Sequence, residues 1–140
     1  MNNKKSIYFL GIGGIGMSAL ARYFISKGYK VAGYDRTRTH ITDALVNEGA
    51  EICYDENIEL IPQYCLNPEE TLVVYTPAIP ASHKGFEYFK ANNFEIAKRA
   101  KILGMITRNS KGLCIAGTHG KTTTSSMLAH ILASSKVECN

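Results

Sequence analysis

Short strand-like runs alternate with helix-like patterns through the first hundred residues, and this alternation limits the fold more than any other feature of the chain. Strand-like runs at Ser6–Leu10, Lys30–Tyr34 and Thr71–Tyr75 are separated by segments whose apolar residues recur at helical spacing. Such alternation is typical of βαβ units, in which parallel strands are covered by helices. We therefore expect an α/β fold, a Rossmann-like parallel sheet with flanking helices.

The sequence pattern in the last third of the chain predicts the start of a second α/β domain. A helix predicted at Arg99–Arg108, with Ile102, Leu103 and Ile106 facing inward, is followed by the polar segment Asn109-Ser110-Lys111. A strand at Leu113–Ala116, a glycine-containing loop and a helix with Met127, Leu128, Ile131 and Leu132 on one face come next. We therefore expect one domain over residues 1–109 and the strand–loop–helix opening of another over residues 110–140.

Charge is distributed unevenly along the 140 residues. Residues 1–95 carry nine basic and eleven acidic side chains, whereas residues 96–140 carry seven basic side chains and a single acidic one, within a total net charge of +4. A basic segment of this kind favours a polyanionic ligand. Nucleic acid is disfavoured as that ligand because the basic residues do not alternate with exposed aromatic ones. We expect no nucleic-acid partner.

The amino terminus and the cysteines indicate a cytoplasmic protein. The stretch Met1–Lys5 leads into a strand rather than into a secretory signal, and apolar stretches are too short to span a membrane. Cys53, Cys65, Cys114 and Cys139 form no CxxC pair, so we expect small buried or half-buried thiols without a disulfide framework or a zinc site. We expect no membrane partner.

A glycine run follows the first strand and precedes the first helix. Gly11, Gly13 and Gly16 satisfy the pattern G-x-G-x-x-G, and Asp35 ends the second strand. Glycine there permits a tight turn and close approach of backbone N–H groups to a diphosphate, while the acid suits a ribose hydroxyl. A plain βα turn is the alternative without a ligand. A nicotinamide dinucleotide and a UDP-sugar both fit the pattern, and the motif does not separate them.

A second phosphate-binding motif lies at Gly117–Thr124, with the sequence GTHGKTTT. It follows an apolar run and opens a helix, as a P-loop does, although Ile115 stands where the standard spacing has its first glycine. No acidic residue follows it before Glu138, whereas a P-loop site takes a metal-binding acid from a later strand. We therefore expect a fragment that does not catalyse an ATP-dependent reaction by itself.

The two motifs together resemble those of the Mur ligases. The strings are GIGGIGMSALA at Gly11–Ala21 and GTHGKTTTSSMLA at Gly117–Ala129, and the resemblance runs along essentially the whole chain. It implies a UDP-sugar-binding first domain and the opening of a central ATPase domain, followed in the family by a C-terminal domain. Within the family, the first string favours the member that adds L-alanine over the one that recycles whole muropeptides.

The resemblance also implies ligand-binding residues. The glycine loop would hold the diphosphate of UDP-N-acetylmuramate, the residues after the second strand would lie near the uridine, and the turn after the Thr71–Tyr75 strand would face the sugar nucleotide. Tyr34 stands where family members often have serine, and Arg99, Ala100 and Leu103 match the family's helix before the domain boundary. The implied UDP-sugar-binding residues are Gly11, Ile12, Gly13, Gly14, Ile15, Gly16, Met17, Ser18, Asp35, Arg36, Thr37, Thr76, Ala78 and Ile79.

For ATP, the resemblance implies Lys121 as the catalytic residue that binds the phosphates and Thr122 as the ligand of Mg²⁺. The reaction implied is ADP-forming: the lactyl carboxylate of UDP-N-acetylmuramate becomes an acyl phosphate, and L-alanine displaces phosphate from it. Two other functions stay open from the residues alone, an NAD-binding oxidoreductase domain and a non-enzymatic nucleotide-binding module. The implied ATP-binding residues are Gly117, Thr118, His119, Gly120, Lys121, Thr122 and Thr123.

Overall fold

The computed structural model describes residues 3–108 and 111–135 of the chain. The chain separates into two compact units, Met1–Met105 and Ile106–Asn140, which are described one at a time below. The domain boundary expected after residue 109 stays a prediction, and Asn109 and Ser110 of the predicted hinge lie outside the described residues.

The first unit is built on a five-stranded parallel sheet with the order β3-β2-β1-β4-β5. Its chain runs outward from β1 through β2 to β3, and then crosses to the other side of β1 to form β4 and β5. The direction of winding therefore reverses between β1 and β4, and ligands of open α/β sheets bind at the carboxyl ends of strands at such a point. The strands are β1 Ser6–Leu10, β2 Lys30–Tyr34, β3 Glu51–Cys53, β4 Thr71–Tyr75 and β5 Glu95–Lys98.

Capping residues mark the start of α2 and the end of α1. Thr39 caps α2 by a reciprocal pair of hydrogen bonds with Thr42, and Gly28, just past α1, has φ +81°. The polar segment between β3 and β4 contains two short 3₁₀ turns. These findings confirm the predicted α/β fold with flanking helices. The helices of this unit are α1 Ile15–Ser26, α2 His40–Asn47, α3 Lys84–Ala91 and α4 Arg99–Arg108, of which the last continues into the second unit.

Strand β1 lies at the centre of the core, and all five of its residues are buried. Alternate side chains of a strand point to opposite faces of the sheet. Phe9 accordingly packs against Phe24 of α1, with ring centroids 6.2 Å apart, while Tyr8 packs against Phe89 of α3 at 5.0 Å. Helices therefore cover the sheet on both sides, which leaves the strand ends as the place for a ligand.

Two expectations about single side chains are wrong. Leu103 is 46% exposed although Ile102 is buried, because adjacent helical residues point about 100° apart and α4 buries only a narrow stripe. Cys114 is exposed, whereas Cys65 is buried and Cys53 half-buried as predicted; Cys139 lies outside the described residues. Burial raises the pKa of the Cys65 thiol to about 12, so this thiol stays protonated at neutral pH.

The second unit contains α5, Lys121–Ser134, as predicted. The strand expected at Leu113–Ala116 is wrong: residues 111–117 have no regular secondary structure. A strand requires a neighbour that accepts and donates its backbone hydrogen bonds, and the described residues of this unit include no other strand. On the predicted apolar face of α5, Met127 and Ile131 are exposed, while Leu128 and Leu132 are half-buried.

None of the helices in the described part of the chain is long and apolar enough to cross a membrane.

We predict that Gly33→Ala destabilises the first unit. Gly33 lies in β2 opposite Phe9, and a Cβ atom there would be 2.6 Å from the Phe9 carbonyl oxygen and 3.0 Å from the Ile12 side chain. Because backbone cannot easily move aside in a central strand, overpacking should lower the free energy of unfolding by about 1–3 kcal/mol. Urea denaturation followed by circular dichroism measures this change.

Gly104→Ala is the matched control. Gly104 lies inside α4, and a Cβ atom there would meet nothing within 4 Å. Because alanine favours the helix over glycine, this variant should be up to about 1 kcal/mol more stable than the wild type. A Gly33→Ala protein as stable as the wild type would contradict the close approach between the two strands.

Candidate functional site

A cleft of about 900 Å³ opens at the carboxyl edge of the sheet in the first unit. Segments that follow each of the five strands contribute to it, and it includes the point between β1 and β4 where the winding reverses. Ligand sites of open α/β sheets lie at this position. The lining residues are Gly11, Gly13, Gly14, Ile15, Gly16, Met17, Tyr34, Asp35, Arg36, Glu56, Thr76, Ala78, Ile79, Pro80, His83 and Arg99.

The glycine loop turns the chain from β1 into the amino terminus of α1. Gly11 has φ +85°, a conformation that side chains disfavour, and its N–H donates to the Tyr34 carbonyl oxygen at 2.8 Å. Gly14 caps the helix without a side chain, and its carbonyl oxygen accepts from Met17 and Ser18. Ile15 and Gly16 come before Met17 in the first turn of the helix, so their N–H groups lie at the positive end of the helix dipole. The loop therefore suits an anion such as a diphosphate.

Asp35 holds this loop against the end of β2. The Gly13 N–H donates to Asp35 Oδ2 at 2.7 Å, and the Thr37 N–H donates to Oδ1 at 3.1 Å. A Cβ atom on Gly13 would lie 2.8 Å from Oδ2, so only glycine allows this contact. A carboxylate has about four acceptor positions, and Asp35 therefore retains capacity for a ligand hydroxyl. The predicted acid thus positions the loop as well as facing the cleft.

Arg99 brings a positive charge to the glycine loop. It is the first residue of α4, directly after β5, and its Nη1 occupies the space that a side chain at Gly16 would need. Within the described residues it forms no ion pair. Sequence reasoning assigned Arg99 to a helix without giving it a ligand, because the chain separation of 83 residues hides its proximity to Gly16.

Three further cleft residues, Tyr34, Glu56 and His83, were not predicted as ligand-binding. His83 is 3% exposed, precedes α3 and packs edge-to-face on Tyr34, with ring centroids 4.5 Å apart. Burial, reinforced by the Glu56 carboxylate, raises the pKa of Tyr34, so its hydroxyl remains a hydrogen-bond donor. Glu56 and His83 lie in segments that were recognised from the sequence only as polar or rich in turns. Neither residue belongs to a ligand-binding motif.

Three of the residues implied by the resemblance do not line the cleft. The Ile12 side chain is fully buried in the core. Ser18 is buried as well, and its hydroxyl donates to the Ile15 carbonyl oxygen at 2.9 Å. Thr37 contributes its N–H to Asp35. These three residues shape the loop and its support.

The second unit carries the other predicted phosphate loop. Gly120 has φ +76° and caps α5, so the amino terminus of a fourteen-residue helix follows the loop directly. Lys121 Nζ donates to the carbonyl oxygens of Gly117 at 2.6 Å and Thr118 at 3.2 Å. His119, Thr122 and Thr123 are exposed. The arrangement supplies backbone N–H groups and an exposed ammonium group for a phosphate.

Metal ligands are sparse in the parts of the chain that the structure describes. Over residues 3–108 and 111–135 no cluster of three or more His, Cys, Asp or Glu side chains could hold a metal ion.

The chain matches a family model described as "Mur ligase family, catalytic domain" over residues 6–111. It is 61% identical over 140 residues to the UDP-N-acetylmuramate–L-alanine ligase of Phocaeicola vulgatus and 57% identical over 140 residues to that of Parabacteroides distasonis. These alignments cover 100% of this chain but only 31% and 30% of the two relatives. The chain therefore spans about three-tenths of the length of these relatives.

Two solved structures share the fold. The UDP-N-acetylmuramate-alanine ligase of Thermotoga maritima has a TM-score of 0.80 and 32% identity, over 91% of this chain and 29% of that one. A murein peptide ligase of Psychrobacter arcticus has a TM-score of 0.79 and 30% identity, over 92% of this chain and 26% of that one. The family model covers well over half of the chain, and the relatives agree with it. The chain belongs to the Mur ligase family.

Proposed function

We propose that this chain is the UDP-sugar-binding part, with the opening of the ATP-binding part, of a ligase that joins L-alanine to UDP-N-acetylmuramate. The observation that carries the proposal is the glycine loop at the amino terminus of α1, held by Asp35 and flanked by Arg99 in one cleft. The names of the relatives supply the substrate class. The proposal places the enzyme in the cytoplasm, where ATP and UDP-sugars are available.

Different residues of the cleft would bind the diphosphate, the uridine and the sugar of a UDP-sugar. The diphosphate would lie at the loop Gly11–Gly16, where helix N–H groups and the Arg99 guanidinium both favour negative charge. The uridine would lie toward Asp35 and Arg36, at the end of β2. The sugar would face the turn after β4, where Thr76, Ala78 and Ile79 line the cleft.

In the full-length enzyme, the second unit would supply the opening of the site for ATP and Mg²⁺, and by itself this part would bind ATP weakly or not at all. The loop from Gly117 to Gly120 and the first N–H groups of α5 fit phosphate oxygens, and Lys121 would exchange its bonds to loop carbonyl oxygens for bonds to the phosphates. Thr122 offers one hydroxyl ligand for Mg²⁺, which ordinarily takes several further ligands from phosphates and water. ATP supplies the phosphoryl group that turns the poor electrophile, a carboxylate, into an acyl phosphate. Lys121 would stabilise the charge on the group in transfer.

We predict that Gly13→Val weakens the binding of UDP-N-acetylmuramate by about tenfold, equivalent to 1.4 kcal/mol. The new side chain would collide with the Asp35 carboxylate and with the Thr42 methyl group, 2.8 and 2.9 Å from its Cβ, and would displace the loop. Isothermal titration of the purified chain measures the affinity, with Gly104→Ala as the variant expected to bind normally. If the wild type binds NADH more tightly than the UDP-sugar, the oxidoreductase alternative replaces this proposal.

We also predict that Arg99→Gln lowers the affinity for UDP by about tenfold, because a charge-assisted hydrogen bond contributes about 1.5–3 kcal/mol. Uridine, which has no phosphate, should bind the variant and the wild type equally. Lys98→Gln removes the same charge from the neighbouring residue, which is exposed and does not line the cleft, and should change UDP binding less than twofold. An equal loss in the two variants would show that Arg99 acts only through net charge.

A further inference from the structure

His83 lines the cleft, and its ring carries a hydrogen-bond donor in a fixed orientation. Its Nδ1 accepts the N–H groups of Gly85 at 3.1 Å and Phe86 at 3.3 Å, and thereby caps α3. Because Nδ1 is the acceptor, the proton of the neutral ring is on Nε2. The ring is held in this orientation by both cap bonds and by the edge-to-face contact with Tyr34.

Nothing in the described part of the chain accepts the Nε2 proton. His83 is 3% exposed, and Nε2 is buried without a hydrogen-bond partner. Such a group is unfavourable in a folded protein unless something satisfies it, and buried polar groups therefore generally have a partner. Since His83 lines the cleft, a ligand atom can be that partner.

A carboxylate stands beside this donor. Glu56 Oε1 lies 3.9 Å from His83 Nε2, which is too far for a hydrogen bond. The other oxygen, Oε2, accepts the Lys84 N–H at 3.4 Å, so the segment after β3 is tied to the start of α3. The two side chains thus offer a donor and an acceptor side by side, on a wall of the cleft that also includes Tyr34.

We propose that His83 and Glu56 recognise the base of the nucleotide by the edge of a uracil ring; this inference rests on the proposed function. Uracil presents a carbonyl oxygen next to its N3–H group. The His83 Nε2–H would donate to the carbonyl oxygen while Glu56 Oε1 accepts the N3–H. In the same position, the unprotonated N3 of cytosine would face the carboxylate as a second acceptor, which disfavours a cytidine nucleotide.

A trapped water molecule is the competing explanation for the unpartnered Nε2. A second, small cavity of about 10 Å³ also borders His83, between Tyr8, Tyr34 and Ile61. That volume is about one probe sphere, enough for a single water. If a water there satisfies Nε2, His83 stabilises the fold and has no effect on which base is bound.

The test is isothermal titration of the full chain with UDP, CDP and N3-methyl-UDP. The wild type should bind UDP at least tenfold more tightly than the other two ligands. His83→Asn keeps a side-chain oxygen to cap α3 but removes Nε2, so it should bind UDP about three- to tenfold more weakly, the range expected for one hydrogen bond. Its affinity for CDP and its melting temperature should stay near those of the wild type.

A second pair of variants tests the acceptor. Glu56→Gln can donate to N3 of cytosine, so the ratio of UDP to CDP affinity should fall toward one. Glu59→Gln makes the same chemical change at an exposed residue outside the cleft and should leave the ratio unchanged. If the wild type binds no uridine nucleotide, the proposed function and this inference are both wrong. If it binds UDP but His83→Asn and Glu56→Gln bind as the wild type does, or if His83→Asn loses stability and not affinity, only this inference is wrong.

Discussion

The hydrogen bond from the Gly13 N–H to the Asp35 carboxylate connects the two strand ends on which the whole cleft depends. β1 and β2 lie side by side in parallel, so the segments that follow them leave the sheet at the same edge. The bond fixes the glycine loop to the end of β2, and the loop in turn aims the amino terminus of α1 into the cleft. Two backbone bonds, from the Gly11 and Ile12 N–H groups to the Tyr34 carbonyl oxygen, hold the start of the loop at the same strand end.

Around this fixed loop, two cleft residues carry polar groups that are available to a ligand. In the described part of the protein, Arg99 has no ion-pair partner, and the Nε2 of His83 has no acceptor. The buried Nε2 is less stable in the folded chain without a partner than with one, whereas the exposed Arg99 guanidinium is open to water; both groups are available to a ligand. Arg99 therefore favours the binding of an anion, and His83 offers a donor to a hydrogen-bond acceptor. A site prepared in this way loses little free energy to reorganisation when the ligand binds.

Local signals predicted most of the first unit, and their failures have a common cause. The capping box at Thr39, the β-branched run at Thr71–Tyr75 and the glycine after α1 act over a few residues, so the chain itself contains the reason for each element. Leu103 and the run Leu113–Ala116 failed because their state depends on neighbours. Leu103 is apolar, yet 46% of it is exposed. Leu113–Ala116 has the residues of a strand, but the described part of the second unit contains no strand with which it could pair.

What the amino-acid sequence by itself determined is the alternation of strands and helices, the two glycine-containing motifs and, through them, the family. These are properties of contiguous residues, because the hydrophobic periodicity and the glycine spacing each involve residues that are close together in the sequence. Only the tertiary structure decided that Arg99 lies against Gly16, and that Glu56 and His83 face each other across 3.9 Å. Those residues lie in segments that follow strands distant in sequence, and a parallel sheet brings such segments to one edge.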